Sequence, residues 1–70
     1  MYELKLYVTG HQPTSIGGLY SSRELALQAA QRVLDGRTRR DLEWDVVVLE
    51  WDGTYLRRVA HLTTPVEVIG

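Results

Sequence analysis

Cysteine is absent from this chain of 70 residues. The chain therefore has no disulfide, no thiolate zinc site and no cysteine nucleophile, a composition compatible with a reducing cytoplasm. It also lacks an apolar run long enough to span a membrane, and it contains no repeat, low-complexity tract or linker. Strand-like alternation begins at the first residues, which predicts that there is no signal peptide. We expect a single small cytoplasmic α+β domain over residues 1–70.

The chain also has no excess of charge of either sign. Eight basic and nine acidic residues give a net charge of −1, which argues against strong attraction of the whole molecule to nucleic acid or to an anionic membrane. Apolar residues make up 44% and charged residues 24% of the chain, as in an ordinary globular domain rather than a disordered one. A domain of this length has a small core and a narrow margin of stability.

Two strands are predicted before any helix. The first has apolar residues at every second position, a period typical of a half-buried strand: Tyr2, Leu4, Leu6 and Val8. After a turn at residues 10–15, residues 16–20 form a short second strand, antiparallel to the first. Gly17 and Gly18 in this strand indicate a bulge or a close approach of another backbone.

One helix is predicted from Ser22 to Asp35. Ser21 and Glu24 have the S-x-x-E spacing of a capping box, so Ser21 is the predicted N-cap, and Tyr20 and Leu25 are placed for a hydrophobic staple. Gly36 is predicted to end the helix in the left-handed conformation. The face predicted to pack on the sheet contains Leu25, Ala26, Ala29, Ala30 and Val33, with Leu27 and Leu34 at its margin.

Residues 42–51 and 54–62 are predicted to form a hairpin with a two-residue turn at Asp52-Gly53. This turn would pair Trp51 with Thr54, and Trp44 with His61. One face of the hairpin would then contain Trp44, Val46, Val48 and Val59, and the other Val47, Leu49, Trp51 and Leu56. Neither face is polar, although a single helix can cover only one of them. Residues 66–69 are predicted to add a short edge strand.

These elements predict an α+β fold, a four-stranded antiparallel sheet in β-β-α-β-β order with one helix packed on one face. A thioredoxin-like β-α-β-β layout is the alternative, in which residues 16–20 would not form a strand. The predicted core comprises the apolar residues of the inner faces: Leu4, Leu6, Val8, Leu25, Ala29, Ala30, Val33, Val46, Val48 and Val59.

Two resemblances accompany this interpretation. Residues 18–24, G-L-Y-S-S-R-E, precede an alanine-rich helix and an acidic-aromatic hairpin, and this resembles small uncharacterised bacterial and phage proteins of β-β-α-β-β layout. Residues 4–10, with Pro13 and Ser15, are similar to the first strand and turn of the KaiB family of circadian clock proteins, which implies the thioredoxin-like alternative. The chain departs from that family at residues 16–19, where its pattern would already be helical. Neither resemblance implies a functional residue.

No enzymatic chemistry is predicted. His11 and His61 lack the spacing of a metal site, Thr14 and Ser15 have no nucleophile elbow around them, and the glycines form no phosphate loop. We therefore expect no catalytic residue, no metal and no cofactor.

The leading functional hypothesis is a small protein-interaction module that forms a homodimer or docks on another protein. The predicted interface consists of Trp51, Leu49 and Leu56, because exposed apolar patches and aromatic residues mark association surfaces. The alternative is a nucleic-acid-binding accessory protein whose affinity would fall steeply with salt. Its phosphate contacts would come from an arginine cluster: Arg37, Arg39, Arg40 and Arg57. No membrane partner is expected.

Overall fold

A computed structural model describes residues 1–38 and 40–64. Within these residues the chain forms four strands and one helix: β1 (Tyr2–Val8), β2 (Thr14–Tyr20), α1 (Arg23–Asp35), β3 (Trp44–Trp51) and β4 (Leu56–Thr63). The strands make one antiparallel sheet in the order β2-β1-β3-β4, and α1 contacts all four of them. The predicted α+β fold is confirmed. Because residues 16–20 lie in β2, the thioredoxin-like layout is excluded, whereas the predicted strand at 66–69 falls outside the described residues.

The core lies between α1 and the two central strands. Leu4 of β1 stands opposite Val48 of β3, and Leu6 stands opposite Val46. Leu4, Val46 and Val48 are fully buried, so the even-numbered residues of β1 and β3 face the helix. Of the other core residues predicted on the strands, Leu6 and Val59 are half-buried against this cluster, and Val8 is half-buried nearer the end of the sheet.

The helix packs on the sheet through the predicted face, with the buried stripe shifted toward its Leu34 margin, and Ala29 and Val33 are partly buried against the core. Its buried residues are Ala26, Ala30 and Leu34, which recur every four positions along one side. Leu25 is 48% exposed, because five residues of helix place it roughly 140° around the axis from Ala30. Leu25 was therefore wrongly assigned to the core. Two alanines at the contact let the helix backbone approach the sheet closely.

The N-cap of α1 is Ser22, not Ser21. Ser22 has extended dihedral angles (φ −136°, ψ 155°), and its hydroxyl accepts a hydrogen bond from the Leu25 N–H at 3.2 Å. Tyr20 still pairs with Tyr2 in β2, so the chain needs one more residue before it can turn into the helix. The predicted capping box and staple are therefore wrong, since position three after the true cap is Leu25 rather than Glu24.

The β3–β4 hairpin closes through four residues, not two. Trp51 pairs with Leu56, and the loop between them is held by Asp52, whose Oδ1 accepts the N–H groups of Thr54 and Tyr55, both at 2.8 Å. Gly53 has a positive φ of 97° in this loop, a conformation that glycine adopts without strain. The predicted pairing of Trp51 with Thr54 is wrong by two positions.

A bulge in β4 shifts the register once more. Leu49 pairs with Arg58 but Val48 pairs with Ala60, so Val59 is the extra residue. One inserted residue moves every later side chain to the other face. His61 consequently stands opposite Val47, on the side away from the helix, and not opposite Trp44 as predicted.

A second bulge lies in β2, where the glycines indicated one. Tyr2 pairs with Tyr20 and Leu4 pairs with Ile16, so residues 17–19 stand opposite a single residue of β1. Gly17 has a φ of +65° there, and a Cβ at this position would lie 2.9 Å from the Tyr20 hydroxyl. Nothing lies within 4 Å of a Cβ at Gly18. Gly17 is therefore the residue that this bulge requires.

Ser22→Ala is expected to lower the free energy of unfolding by about 0.5–2 kcal/mol, because it leaves a helix N–H without its acceptor. The melting temperature should fall by several degrees in a domain of this size. Ser21→Ala is the matched control and should be nearly silent in the same thermal scan. Equal losses in the two variants would show that Ser22 is not the cap.

Gly17→Ala is expected to destabilise the protein by roughly 1–2 kcal/mol. Alanine is strained at a positive φ, and its methyl group would also clash with the Tyr20 hydroxyl. Gly18→Ala should be neutral or slightly stabilising, because it restricts the unfolded chain without a clash. Urea denaturation of both variants measures the difference. The bulge geometry would be contradicted if Gly18→Ala were the more harmful change.

Candidate interaction surface

The sheet has one face that α1 does not cover, called here the open face. Neighbouring side chains of a strand point to opposite faces of the sheet. The odd-numbered residues of β1 and β3 therefore point away from the helix and the core. Their partners in β4 are on the same open face. The side chains of the open face that β1, β3 and β4 supply are Glu3, Lys5, Tyr7, Asp45, Val47, Leu49, Trp51, Leu56, Arg58, His61 and Thr63.

An apolar strip runs along the centre of the open face. It consists of Val47, Leu49 and Trp51 of β3 with Leu56 of β4, which pairs with Trp51. Trp51 is 45% and Leu56 is 44% exposed, while Val47 and Leu49 are partly covered by their neighbours. The structure thus brings the three residues of the predicted interface together. Val47, which the sequence had already placed on this face, extends the strip.

Charged side chains flank the strip on both sides. Glu3 of β1 and Arg58 of β4 both stand opposite Leu49, and Lys5 and His61 both stand opposite Val47. The His61 Nε2 lies 2.9 Å from the Asp45 Oδ1. Glu3, Lys5 and Arg58 form no side-chain hydrogen bond or ion pair within the part of the chain that the structure describes. Sequence reasoning did not assign these residues to the site, and it placed His61 on the other face, because the β4 bulge has no sequence signal.

The open face is shallow. It has an open hollow between the strip and the flanking polar residues, lined by Tyr7, Asp45, Val47, Leu49, Arg58 and His61. Small-molecule sites are usually clefts that enclose most of the ligand. A broad, nearly flat surface with an apolar centre and a polar margin has instead the anatomy of a protein–protein interface.

Both edges of the sheet are blunted against strand addition. β2 carries the Gly17 bulge, and β4 carries the Val59 bulge together with Arg57, Arg58 and His61. The Arg23 guanidinium also donates to the carbonyl of the bulged residue Val59 at 3.4 Å. Bulges and charges of this kind discourage edge-to-edge pairing.

A polar row closes the helix-covered side at the hairpin end. Glu50 accepts from the Tyr2 hydroxyl and from the Arg57 guanidinium, both at 2.9 Å. The Arg57 hydrogen bond, followed by that of Tyr2, holds the pKa of Glu50 below its ordinary value. Glu50 in turn raises the pKa of Tyr2, because it accepts the proton that the phenol would lose. The row ties β1, β3 and β4 together beside the core.

Asp52 is a structural carboxylate of the hairpin loop. Its pKa is lowered because the Tyr55 and Thr54 N–H groups donate to the charged form. The same hydrogen bonds hold the loop that pairs Trp51 with Leu56. Asp52 therefore helps to position Trp51 and Leu56, at the exposed end of the strip, and we assign it a structural role.

The three described arginines of the nucleic-acid hypothesis, Arg37, Arg40 and Arg57, do not form one cluster. Arg37 donates to the Leu34 carbonyl at 2.6 Å, and Arg40 donates to the Asp35 carbonyl at 3.2 Å, so both satisfy groups at the helix C-terminus. Arg57 is paired with Glu50 at the start of β4, whereas Arg37 lines a pocket beside Thr64, just beyond the other end of β4. Arg39 lies outside the described residues.

The helix end itself differs from the prediction. Gly36 is the C-cap, but its φ is −91°, so it is not in the left-handed conformation. Its N–H donates to the Arg32 carbonyl at 3.0 Å. Side-chain donors from the following loop satisfy the Leu34 and Asp35 carbonyls, and a left-handed glycine is therefore not needed to complete the end.

Two other kinds of site receive no support from the described residues. Among residues 1–38 and 40–64, no three histidine, aspartate or glutamate side chains converge as metal ligands do. No helix in the same ranges is long and apolar enough to cross a membrane.

No protein-family model matches the chain, and no curated protein or solved structure is significantly similar to it. The two sequence resemblances therefore stay predictions. The geometry and chemistry of the open face are the basis for assigning a function.

Acid is expected to destabilise the protein as Glu50 and Asp52 become protonated. Their pKa values are lowered in the folded state, so their contribution is complete above the ordinary carboxyl pKa and is lost as the pH falls through the folded values. Glu50→Gln should melt lower than wild type at neutral pH and converge with it in acid. Glu43→Gln, an exposed change of the same charge, is the control in melts from pH 7 to pH 2. A constant gap between wild type and Glu50→Gln would contradict the role of this row.

Proposed function

We propose that this chain is a small non-enzymatic interaction module that associates through the open face, with a second copy of itself as the partner. The observation that carries the proposal is the apolar strip, whose Trp51 and Leu56 are each exposed by more than two-fifths. Contiguous apolar patches rimmed by polar residues often mark the surfaces where proteins meet. Residues 1–38 and 40–64 supply one helix to cover a sheet that is apolar on both sides.

The size of the open face suits a modest dimer. Four strands about 4.8 Å apart, each roughly 23 Å long, give a projected face of roughly 450 Å². Side chains stand out from the sheet, so the accessible area is larger than the projection. Two such faces together reach about the lower end of the 1,200–2,000 Å² that specific interfaces bury. Association in the micromolar range is therefore expected rather than an inseparable dimer.

The residue types agree with this use. Tryptophan, tyrosine and arginine are the residues that most often carry binding energy at interfaces, and the open face presents Trp51, Tyr7 and Arg58. Charged side chains lie on either side of the strip, and none lies between Leu49 and Trp51 on the open face. Charged margins select partners and orientation more than they add affinity.

Nucleic-acid binding through the arginines is the weaker proposal. Arg37 and Arg40 already donate to helix carbonyls, and Arg57 already pairs with Glu50. A phosphate would have to replace these contacts. The separation of Arg57 from Arg37 also removes the shared surface that a phosphate backbone would need.

Leu56→Gln is expected to weaken self-association at least tenfold, because each copy loses a leucine worth about 1.5–3 kcal/mol when fully buried. Leu25→Gln is the matched control, since Leu25 is 48% exposed and Leu56 44%, but Leu25 lies on the helix side. It should leave the association unchanged. Multi-angle light scattering and sedimentation from about 1 μM to 1 mM measure both.

A wild-type chain that stays monomeric to 1 mM would contradict self-association. Equal weakening by the two leucine variants would contradict the open face as the surface. Circular dichroism melts of each variant separate a weakened interface from a weakened fold.

A further inference from the structure

Glu3 and Arg58 form a matched pair of charges on either side of the apolar strip. They lie in one row across the sheet, Glu3 on β1 and Arg58 on β4, with Leu49 of β3 between them. Within the described residues, neither side chain forms a hydrogen bond or an ion pair. The two strand spacings between them amount to about 10 Å, so each charge faces outward from its own side of the strip.

We propose that the second copy packs on the open face about a two-fold axis parallel to β3, so that Glu3 of each copy pairs with Arg58 of the other. This inference rests on the proposed self-association and adds its geometry. A two-fold axis along β3 keeps each cross-strand row of residues at the same position along the strands. It places the β1 side of one copy over the β4 side of the other. Opposite charges then meet on both flanks, and the contact is self-complementary as a two-fold interface must be.

The same operation places apolar residues on apolar residues. Val47, Leu49 and Trp51 lie along the axis and meet their own copies, while Leu56 packs beside the paired tryptophans. Packed sheets lie about 10 Å apart with their strands within about 30° of each other. Glutamate and arginine side chains are long enough to meet across that gap at the margins. The result is a sandwich in which each copy supplies one sheet and its helix covers the outside.

The residues at the other end of the strip are compatible with this axis. Asp45 of the two copies would lie near each other, but each has its own His61 at 2.9 Å. Lys5 and His61 share a row, so the axis brings Lys5 of one copy to the His61 side of the other, beside Asp45. Basic groups therefore surround the two carboxylates.

The other in-plane axis, perpendicular to the strands, fits less well. Centred between Val47 and Leu49, it would reverse the order of the rows and place Asp45 over the partner's Trp51. The Asp45–His61 pair would then lose water against the partner's indole ring, which is less favourable than the basic surroundings that the first axis gives it. Glu3 would face Lys5 instead of Arg58, so the two axes predict different charge partners.

Charge reversal tests the pairing directly. Glu3→Arg alone and Arg58→Glu alone should each weaken self-association roughly 10- to 100-fold, since each creates two like-charge encounters per dimer. The double variant, with both reversals in one chain, should return to within about threefold of wild type. A mixture of the two single variants should form heterodimers about as tightly as wild type forms homodimers, because both pairs are then restored.

Glu24→Arg provides the control for net charge, since Glu24 is exposed on α1 and has no place in the interface. Mixed with Arg58→Glu, it gives the same net charges without a specific pair and should not restore heterodimers. Thermal melts establish that each reversed variant is folded, and Glu3→Gln with Arg58→Gln repeats the comparison without like charges if a reversed variant unfolds.

The outcomes separate the geometry from the function. Self-association that depends on Leu56 but shows no rescue in the double variant or in the mixture overturns this axis and leaves the proposed function standing. Rescue of Glu3→Arg by Lys5→Glu instead of Arg58→Glu assigns the perpendicular axis. A wild-type chain that does not associate overturns both proposals.

Discussion

The central strand β3 is apolar on both sides, and this constraint organises the molecule. Val46 and Val48 are fully buried beneath α1, and their neighbours Val47 and Leu49 point the other way. A single helix of 13 residues can cover one side of a four-stranded sheet, and the rest of the described chain adds only loops. The hydrophobic side chains of the other side thus remain at the surface, where burial against a partner is favourable.

The core between α1 and the sheet is built from few residues. Two alanines let the helix lie close to the sheet, and the Tyr2–Glu50–Arg57 row seals one end with hydrogen bonds instead of more apolar residues. A core of this size gives a marginal free energy of unfolding. Association would add to the stability by mass action, since only the folded chain presents the open face.

Sequence patterns identified the elements and their faces better than their exact registers. The alternation in β1 and the apolar run of β3 are strong signals for strands, because side chains on a strand alternate between its two faces. Ser21 and Ser22 are chemically identical, so the choice of cap depended on where β2 releases the chain. The bulge at Val59 has no composition signal, and it moved His61 to the open face.

Trp51, Leu49 and Leu56 share the predicted face although the predicted register is wrong, and the reason is physical. The hairpin loop is two residues longer than Asp52-Gly53 predicts, and a shift of two positions keeps each side chain on its face. Leu56 therefore stays beside Trp51 on the open face. The charged margin could not be derived in full, because the partner of Arg58 in β3 depends on the length of the loop, and the face of His61 depends on the bulge.

The central claim is that the open face of one copy covers the open face of another. The most direct measurement is an isotope-filtered NOE experiment on a mixture of ¹³C-labelled and unlabelled protein at millimolar concentration. The structure predicts intermolecular NOEs from the methyl groups of Val47, Leu49 and Leu56 and from the Trp51 indole. Intermolecular NOEs that arise instead from α1 or from the β2 edge, or none at all, would contradict the claim.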